Sequence, residues 1–193
     1  MKKITLFLFL ILIRQIVFAQ KNEPGYAGVY LTKENFINNR ISYKINTGNK
    51  GYKLEFPPIA DWALEIRSVT PDSVHKFKPG TVYGYYDNGK IYRYAPDDDQ
   101  YVPEDYYKIV DDKGLIIYTS EFNGGSEHYY SVDLGSPIRR LNYKNLKEDF
   151  KTRPEFVSSI KRLNDREVPG DMAKLDDQGN FIVNKIYRET IVK

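Results

Sequence analysis

The chain has 193 residues, 29 basic and 26 acidic side chains, no cysteine and a formal net charge of +3. This length is enough to bury a core, and the lack of cysteine excludes disulfide bonds as a source of stability. Residues 1–19 contain three basic residues and no acidic one, so the remaining 174 residues hold 26 charges of each sign. The overall basicity is therefore no argument for nucleic acid as a partner.

Residues 1–19 have the pattern of an export signal. Two lysines precede an apolar run over residues 4–13, and residues 17–19 (Val-Phe-Ala) offer a cleavage site. Arg14 ends the run well short of the roughly 20 residues that span a bilayer, which argues against the alternative of an uncleaved anchor. We predict cleavage after Ala19, an extracytoplasmic location in the periplasm or outside the cell, and no stable membrane span after cleavage.

The N-terminal half contains signals for one short helix and several strands. Residues 20–30 are predicted to be a flexible segment. Thr32 has the character of a helix N-cap, with Glu34 and Asn35 in the first turn of a short helix. Breaks rich in glycine, asparagine or proline separate three strands, predicted over residues 41–45, 52–56 and 62–69.

A β-hairpin around Asn88-Gly89 is the clearest predicted element, because both residues tolerate the positive φ angles of a two-residue turn. Such a loop fixes the register, which places Tyr85 opposite Tyr92. One face of the hairpin then carries Tyr83, Tyr85, Tyr92 and Tyr94. These rings are candidate ligand-binding residues, since aromatic rings stack on sugars and on apolar protein surfaces. The alternative is that they form core beneath the C-terminal helices.

The sequence after this hairpin predicts an antiparallel meander of strands. Residues 106–110 and 115–120 flank a turn that ends at Gly114, which we predict in the left-handed conformation. A second turn at residues 123–126 leads into a strand over residues 128–133. Successive short strands joined by tight turns are typical of antiparallel sheets.

The apolar period changes to that of a helix in the C-terminal third. Tyr143, Leu146 and Phe150 share one helical face, and Pro154 occupies the first position of a second helix. Residues 181–187 form a last strand or helix. The fold class is therefore α+β, with an antiparallel β-meander of five or more strands packed by two short C-terminal helices. Residues 31–193 are predicted to form one globular domain.

Three segments carry a resemblance to a protein family. They are KFKPGTVYGYYDNGKIYRY (76–94), SPIRRLNYKNLKEDF (136–150) and FIVNKIY (181–187). In this order they resemble a group of uncharacterised exported proteins of Bacteroidota bacteria, from about Gly28 to Tyr187, which is nearly the whole chain after the predicted cleavage. The segment Phe156-Val-Ser-Ser-Ile-Lys departs from the pattern of that group. The resemblance implies export and a sheet-plus-helix fold, and it implies no catalytic residue.

Patterns for catalysis and metal binding are incomplete. The two histidines, His75 and His128, accompany no cysteine and no Gly-x-Ser-x-Gly motif. Acidic residues between Asp97 and Asp105 would suit Ca²⁺ but match no EF-hand spacing, so we predict no metal site and no cofactor. No pair of carboxylates stands out as a hydrolytic dyad, and the catalytic residues stay unassigned. We also predict no nucleic-acid partner.

Ser73 is a candidate for O-glycosylation. Asp72-Ser73-Val74 matches the Asp-Ser/Thr-aliphatic pattern of exported Bacteroidota proteins, in a predicted loop after Pro71. Together, these observations favour an exported, non-catalytic envelope or secreted binding module whose ligand is a protein or a glycan. The alternative is a small extracytoplasmic hydrolase that uses a carboxylate pair.

Overall fold

A computed structural model describes residues 25–56, 66–78, 80–96, 102–120, 127–164 and 172–191. The export signal predicted at residues 1–19, the acidic residues 97–99 and the turn at residues 123–126 lie outside these ranges. The chain divides into two compact units, with the boundary in the sequence between Tyr94 and Ala95. The prediction of a single domain over residues 31–193 stays a prediction. Within the described ranges, no helix is both long and apolar enough to cross a membrane.

The first unit holds seven strands in two antiparallel sheets. The strands are β1 (Ala27–Tyr30), β2 (Tyr43–Ile45), β3 (Lys53–Glu55), β4 (Ile66–Thr70), β5 (Ser73–Phe77), β6 (Gly84–Asp87) and β7 (Lys90–Ala95). One sheet has the order β7-β6-β1-β2, and the other has the order β3-β4-β5.

The predicted β-hairpin is confirmed residue by residue. Asn88 and Gly89 have φ angles of 45° and 90°, and the register pairs Tyr85 with Tyr92 and Asp87 with Lys90. The two-residue loop fixes this register because it leaves only one way to close the ladder.

Helix α1 (Lys33–Ile37) begins at Thr32 as predicted. The Thr32 Oγ1 atom accepts a hydrogen bond from the backbone N–H of Asn35 at 3.1 Å. This bond satisfies one of the amides that the first helical turn leaves without a partner. Phe36 is buried and lies edge-on to Tyr30, with 5.2 Å between the ring centroids.

The flexible segment predicted for residues 20–30 is wrong over its last four residues. Strand β1 is buried along its whole length because it pairs with β2 on one side and β6 on the other. Gly28 makes this close pairing possible, since a Cβ there would lie 2.5 Å from the carbonyl oxygen of Tyr43.

The second unit is an antiparallel meander with three C-terminal helices. Its elements are β8 (Asp105–Asp111), β9 (Ile116–Thr119), β10 (His128–Ser131), β11 (Arg139–Arg140), α2 (Tyr143–Asp149), α3 (Pro154–Asn164) and α4 (Ile182–Thr190). Within this unit the neighbouring strands follow one another in chain order, β8-β9-β10-β11. The antiparallel strands and short C-terminal helices confirm the predicted α+β class.

Apolar side chains on one face of these strands form a core with the helices. Asn142 caps α2, Pro154 is the first residue of α3, and residues 181–187 open a helix rather than a strand. The core residues are Leu115, Ile117, Tyr130, Leu141, Leu146, Phe150, Phe156, Ile160, Met172, Phe181 and Val183. The helical period predicted for α2 and α3 therefore marks the faces that are buried.

The turn between β8 and β9 differs from the prediction. Gly114 does not have a positive φ angle, and the β8–β9 register shifts by a bulge between Ile109 and Asp111. The absence of a side chain at Gly114 instead leaves room for Asn184, because a Cβ there would lie 3.0 Å from the side-chain oxygen of Asn184.

Candidate functional site

The four predicted ligand-binding tyrosines fall into two pairs. Tyr85 and Tyr92 are 8% and 5% exposed, and their rings stack with centroids 4.3 Å apart. Tyr83 and Tyr94 are half-buried at the beginning and end of the two strands. The structure therefore brings Tyr85 and Tyr92 together, whereas the Tyr83 ring lies against Phe36 with 5.4 Å between centroids. Of the four rings, Tyr83 and Tyr94 are the partly exposed ones.

Phe56 supplies the exposed ring that the sequence did not point to. It follows β3, is 45% exposed, and contacts Tyr85 with 4.7 Å between ring centroids. Phe56, Tyr85 and Tyr92 thus form an aromatic stack whose outermost ring faces solvent. The sequence could not indicate this contact, because Phe56 follows a strand of the other sheet and lies about thirty residues from Tyr85.

The aromatic stack has the chemistry of a binding surface. An exposed aromatic ring held on a rigid base can stack on a sugar ring or on an apolar side chain. The base is rigid because Tyr85 and Tyr92 are cross-strand partners in a confirmed register. Tyr83 and Tyr94, the half-buried pair of the same hairpin, carry phenol groups that can donate and accept hydrogen bonds.

Ser73 is exposed and lies at a hairpin tip. It is the first residue of β5, directly after the two-residue turn Pro71-Asp72, so the predicted loop is shorter than expected. Its Oγ atom lies 3.0 Å from Oγ1 of Thr70. The hydroxyl therefore stands at an accessible turn, as a modification site requires.

The second unit contains two hydrogen-bonded groups, each made of an arginine, a carboxylate and a tyrosine. On one face of β10, the Tyr129 phenol donates to Glu127 at 2.6 Å, and Arg140 donates to the same carboxylate oxygen at 3.2 Å. Arg140 is also the cross-strand partner of Tyr129. Burial and the hydrogen bond to Glu127 raise the pKa of Tyr129 to about 12. We call Tyr129, Glu127 and Arg140 the first triad.

The second triad consists of Tyr130, Asp149 and Arg139. It lies on the opposite face, because consecutive strand residues point in opposite directions. The Tyr130 phenol donates to Asp149 at 2.5 Å, and Arg139, its cross-strand partner, binds the other oxygen of Asp149. Arg139 also binds Glu148 at 3.0 Å. Burial, and next the hydrogen bond to Asp149, raise the pKa of Tyr130 well above its usual value. The second triad thus joins α2 to the sheet.

A second carboxylate lies near the first triad. Asp105 accepts hydrogen bonds from Ser120 Oγ at 2.6 Å and from the backbone N–H of Tyr106 at 2.7 Å. The Tyr107 ring contacts the Tyr129 ring, with 4.6 Å between centroids. Burial raises the pKa of Tyr107, and the nearby Tyr129 and Asp105 raise it further.

Each of these carboxylates accepts hydrogen bonds from neighbouring side chains. The sequence could not single them out, because the bonds from Ser120 to Asp105, from Arg140 to Glu127 and from Tyr130 to Asp149 join different segments of the chain.

The remaining predicted groups are dispersed. His75 is exposed and stacks on Tyr43 at 5.5 Å, whereas His128 is half-buried against the edge of Phe181 at 5.5 Å. The described residues contain no group of three histidine or acidic side chains that could hold a metal ion. A cleft of about 380 Å³ beside α4 is lined by Asp176, Gln178, Asn180, Lys185, Arg188 and Glu189.

Comparison of the chain with protein-family models, with curated proteins and with solved structures gave no match.

Proposed function

We propose that the protein is an exported, non-catalytic binding module of the envelope or the extracellular space, whose glycan or protein ligand contacts the aromatic stack. The observation that carries the proposal is the exposed ring of Phe56 over the buried pair Tyr85 and Tyr92. A buried base fixes the exposed ring before the ligand arrives, which reduces the entropy lost on binding.

The export half of the proposal is supported by the sequence. The basic and apolar pattern of residues 1–19 supports secretion, and so does the resemblance to exported Bacteroidota proteins. A glycan or an envelope protein is the kind of ligand available in that compartment.

The experiment is native electrophoresis in gels that contain one soluble polysaccharide each: mixed-linkage glucan, laminarin, xylan or pullulan. We expect one polysaccharide to retard the protein in the gel. Phe56→Ala should lower the affinity for that polysaccharide by about tenfold, as removal of a central aromatic contact does. Leu175→Ala is the matched control, because Leu175 is 53% exposed in the other unit. Equal retardation of wild type and Phe56→Ala would place the ligand elsewhere.

If none of the polysaccharides binds, a protein ligand remains, and a photo-crosslinking amino acid at position 56 tests it. We expect a crosslinked partner from position 56 and none from position 175. Crosslinking to the same partner at both positions would contradict a specific role for the aromatic stack.

The alternative, an extracytoplasmic hydrolase, is favoured by one observation. Asp105 and Glu127 belong to the same end of three neighbouring strands, with the touching rings of Tyr107 and Tyr129 beside them. A pair of carboxylates near a glycan is the requirement for glycoside hydrolysis. Release of reducing ends from any of the four polysaccharides, lost in both Asp105→Asn and Glu127→Gln, would support this alternative over simple binding.

A further inference from the structure

In the part of the chain that the structure describes, the smaller sheet of the first unit has an open edge. Among the described residues, β5 pairs only with β4, at the end of the order β3-β4-β5. Four of its five residues are exposed, and only Phe77 is buried. Sheet edges of this kind present unpaired backbone donors and acceptors to any extended chain.

The register identifies the backbone groups at this edge. Thr70 and Ser73 flank a two-residue turn, so they form a hydrogen-bonded pair. Hydrogen-bonded and non-hydrogen-bonded pairs alternate along an antiparallel ladder, so Val74 and Lys76 occupy the non-hydrogen-bonded positions. Their N–H and C=O groups therefore point away from β4, towards the open edge.

The side chains at the edge select the partner. Val74 is 54% exposed, and Lys76 is exposed on the same face of the strand. The β4–β5 hairpin, residues 66–78, contains three basic residues and one acidic residue. A second copy of this hairpin would bring two positively charged edges together, whereas an acidic strand would complement the charge.

We propose that the outer edge of β5 binds an extended, acidic segment of a partner protein as an additional strand. The backbone groups of Val74 and Lys76 pair with the segment, the Val74 side chain contacts its apolar residues, and Lys76 attracts its carboxylates. This is the strand-addition mode of peptide recognition, in which main-chain bonds give affinity and alternate side chains give specificity. It uses a surface separate from the aromatic stack and does not depend on the function proposed above.

The experiment uses a fluorescein-labelled peptide that alternates glutamate and valine, with a lysine–valine peptide as its counterpart, in anisotropy titrations of the full chain. We expect the acidic peptide to bind and the basic one not to bind. Val74→Pro removes the outward N–H but no bond to β4, so it should weaken binding about tenfold. Val74→Thr keeps the N–H and should stay within about twofold of wild type, since it preserves the backbone bond.

Lys76→Glu supplies a test that does not depend on the folding of a proline variant. This variant should bind the acidic peptide more weakly and should bind the basic peptide, since the charge at the edge is reversed. The proposal is overturned if the acidic peptide does not bind at 1 mM, or if Lys76→Glu leaves the preference unchanged. It is also overturned if sedimentation shows a wild-type dimer that Val74→Pro dissociates, because the edge would then belong to a second copy.

Discussion

The side-chain amide of Asn184 hydrogen-bonds to both backbone groups of Leu115, as a neighbouring strand would. Its Oδ1 atom accepts from Leu115 N–H, and its Nδ2 atom donates to Leu115 C=O, each at 2.9 Å. The same Nδ2 group donates to Asp111 at 2.9 Å. Asn184 and Leu115 are both fully buried, so one side chain on α4 satisfies the backbone of the β8–β9 turn.

Asn184→Ala should lower the free energy of unfolding by about 2–4 kcal/mol, because it leaves a buried N–H and C=O without partners. Urea unfolding followed by circular dichroism measures the change. Lys185→Ala, at the next and exposed position of α4, is the control and should stay within about 0.5 kcal/mol of wild type. A similar loss in both variants would show that α4, rather than the amide, is responsible.

Gly114→Ala should destabilise the protein by about 1–3 kcal/mol, because its new methyl group would press on the Asn184 side chain. The clash disappears when Asn184 is shortened. Gly114→Ala should therefore lower the free energy of unfolding less in the Asn184→Ala background than in the wild type. Additive losses, measured by the same urea titrations, would indicate that Gly114 is required for another reason.

The difference in unfolding free energy between wild type and Tyr129→Phe should depend on pH, because the pKa of Tyr129 is raised in the folded state. The folded-state pKa is about 12 and the usual value is 10.0, so the neutral phenol stabilises the folded state below pH 10. That contribution is lost as the pH rises from about 10 to about 12.

At pH 8 the variant should be less stable by about 1.5–3 kcal/mol, the range for a hydrogen bond to a charged group. The difference from wild type should narrow at pH 11. Urea titrations of both proteins at pH 8, 10 and 11 provide the measurement, and the comparison cancels the titration of the other tyrosines. A constant difference across this range would contradict the assignment.

Ser73 should carry a glycan in the protein purified from its own host. The hydroxyl is exposed at the tip of the β4–β5 hairpin, and Asp72-Ser73-Val74 is the recognised pattern. Intact-mass spectrometry should show an added mass that disappears in Ser73→Ala, while Thr70→Ala retains it. A wild-type mass equal to that of the unmodified chain would remove Ser73 as a modification site.

Local signals predicted the elements that are specified locally. The β6–β7 register follows from the Asn88-Gly89 turn, and the start of α1 follows from one threonine. In both cases the residues that decide the structure are within a few positions of one another. The same holds for Pro154 at the start of α3.

Contacts between distant segments account for what the sequence did not indicate. Strand β1 is short and not periodic, and it is stabilised by partners on two other strands. Phe56, just after a strand of the other sheet, contacts Tyr85, and a Cβ at Gly114 would press on a side chain seventy residues away. Such positions have no local pattern, because their surroundings exist only after folding.

The central place of β1 has a consequence for the order in which the first unit can fold. Val29 pairs with Tyr43 on one side and with Tyr85 on the other. When the chain emerges from its N-terminal end, β1 can meet β2 early, but its other edge stays open until β6 has emerged. The β6–β7 hairpin closes on its own within about 1–10 μs, so it can then dock as a finished unit. Docking of that hairpin, rather than its formation, is therefore the step that covers the second edge of β1.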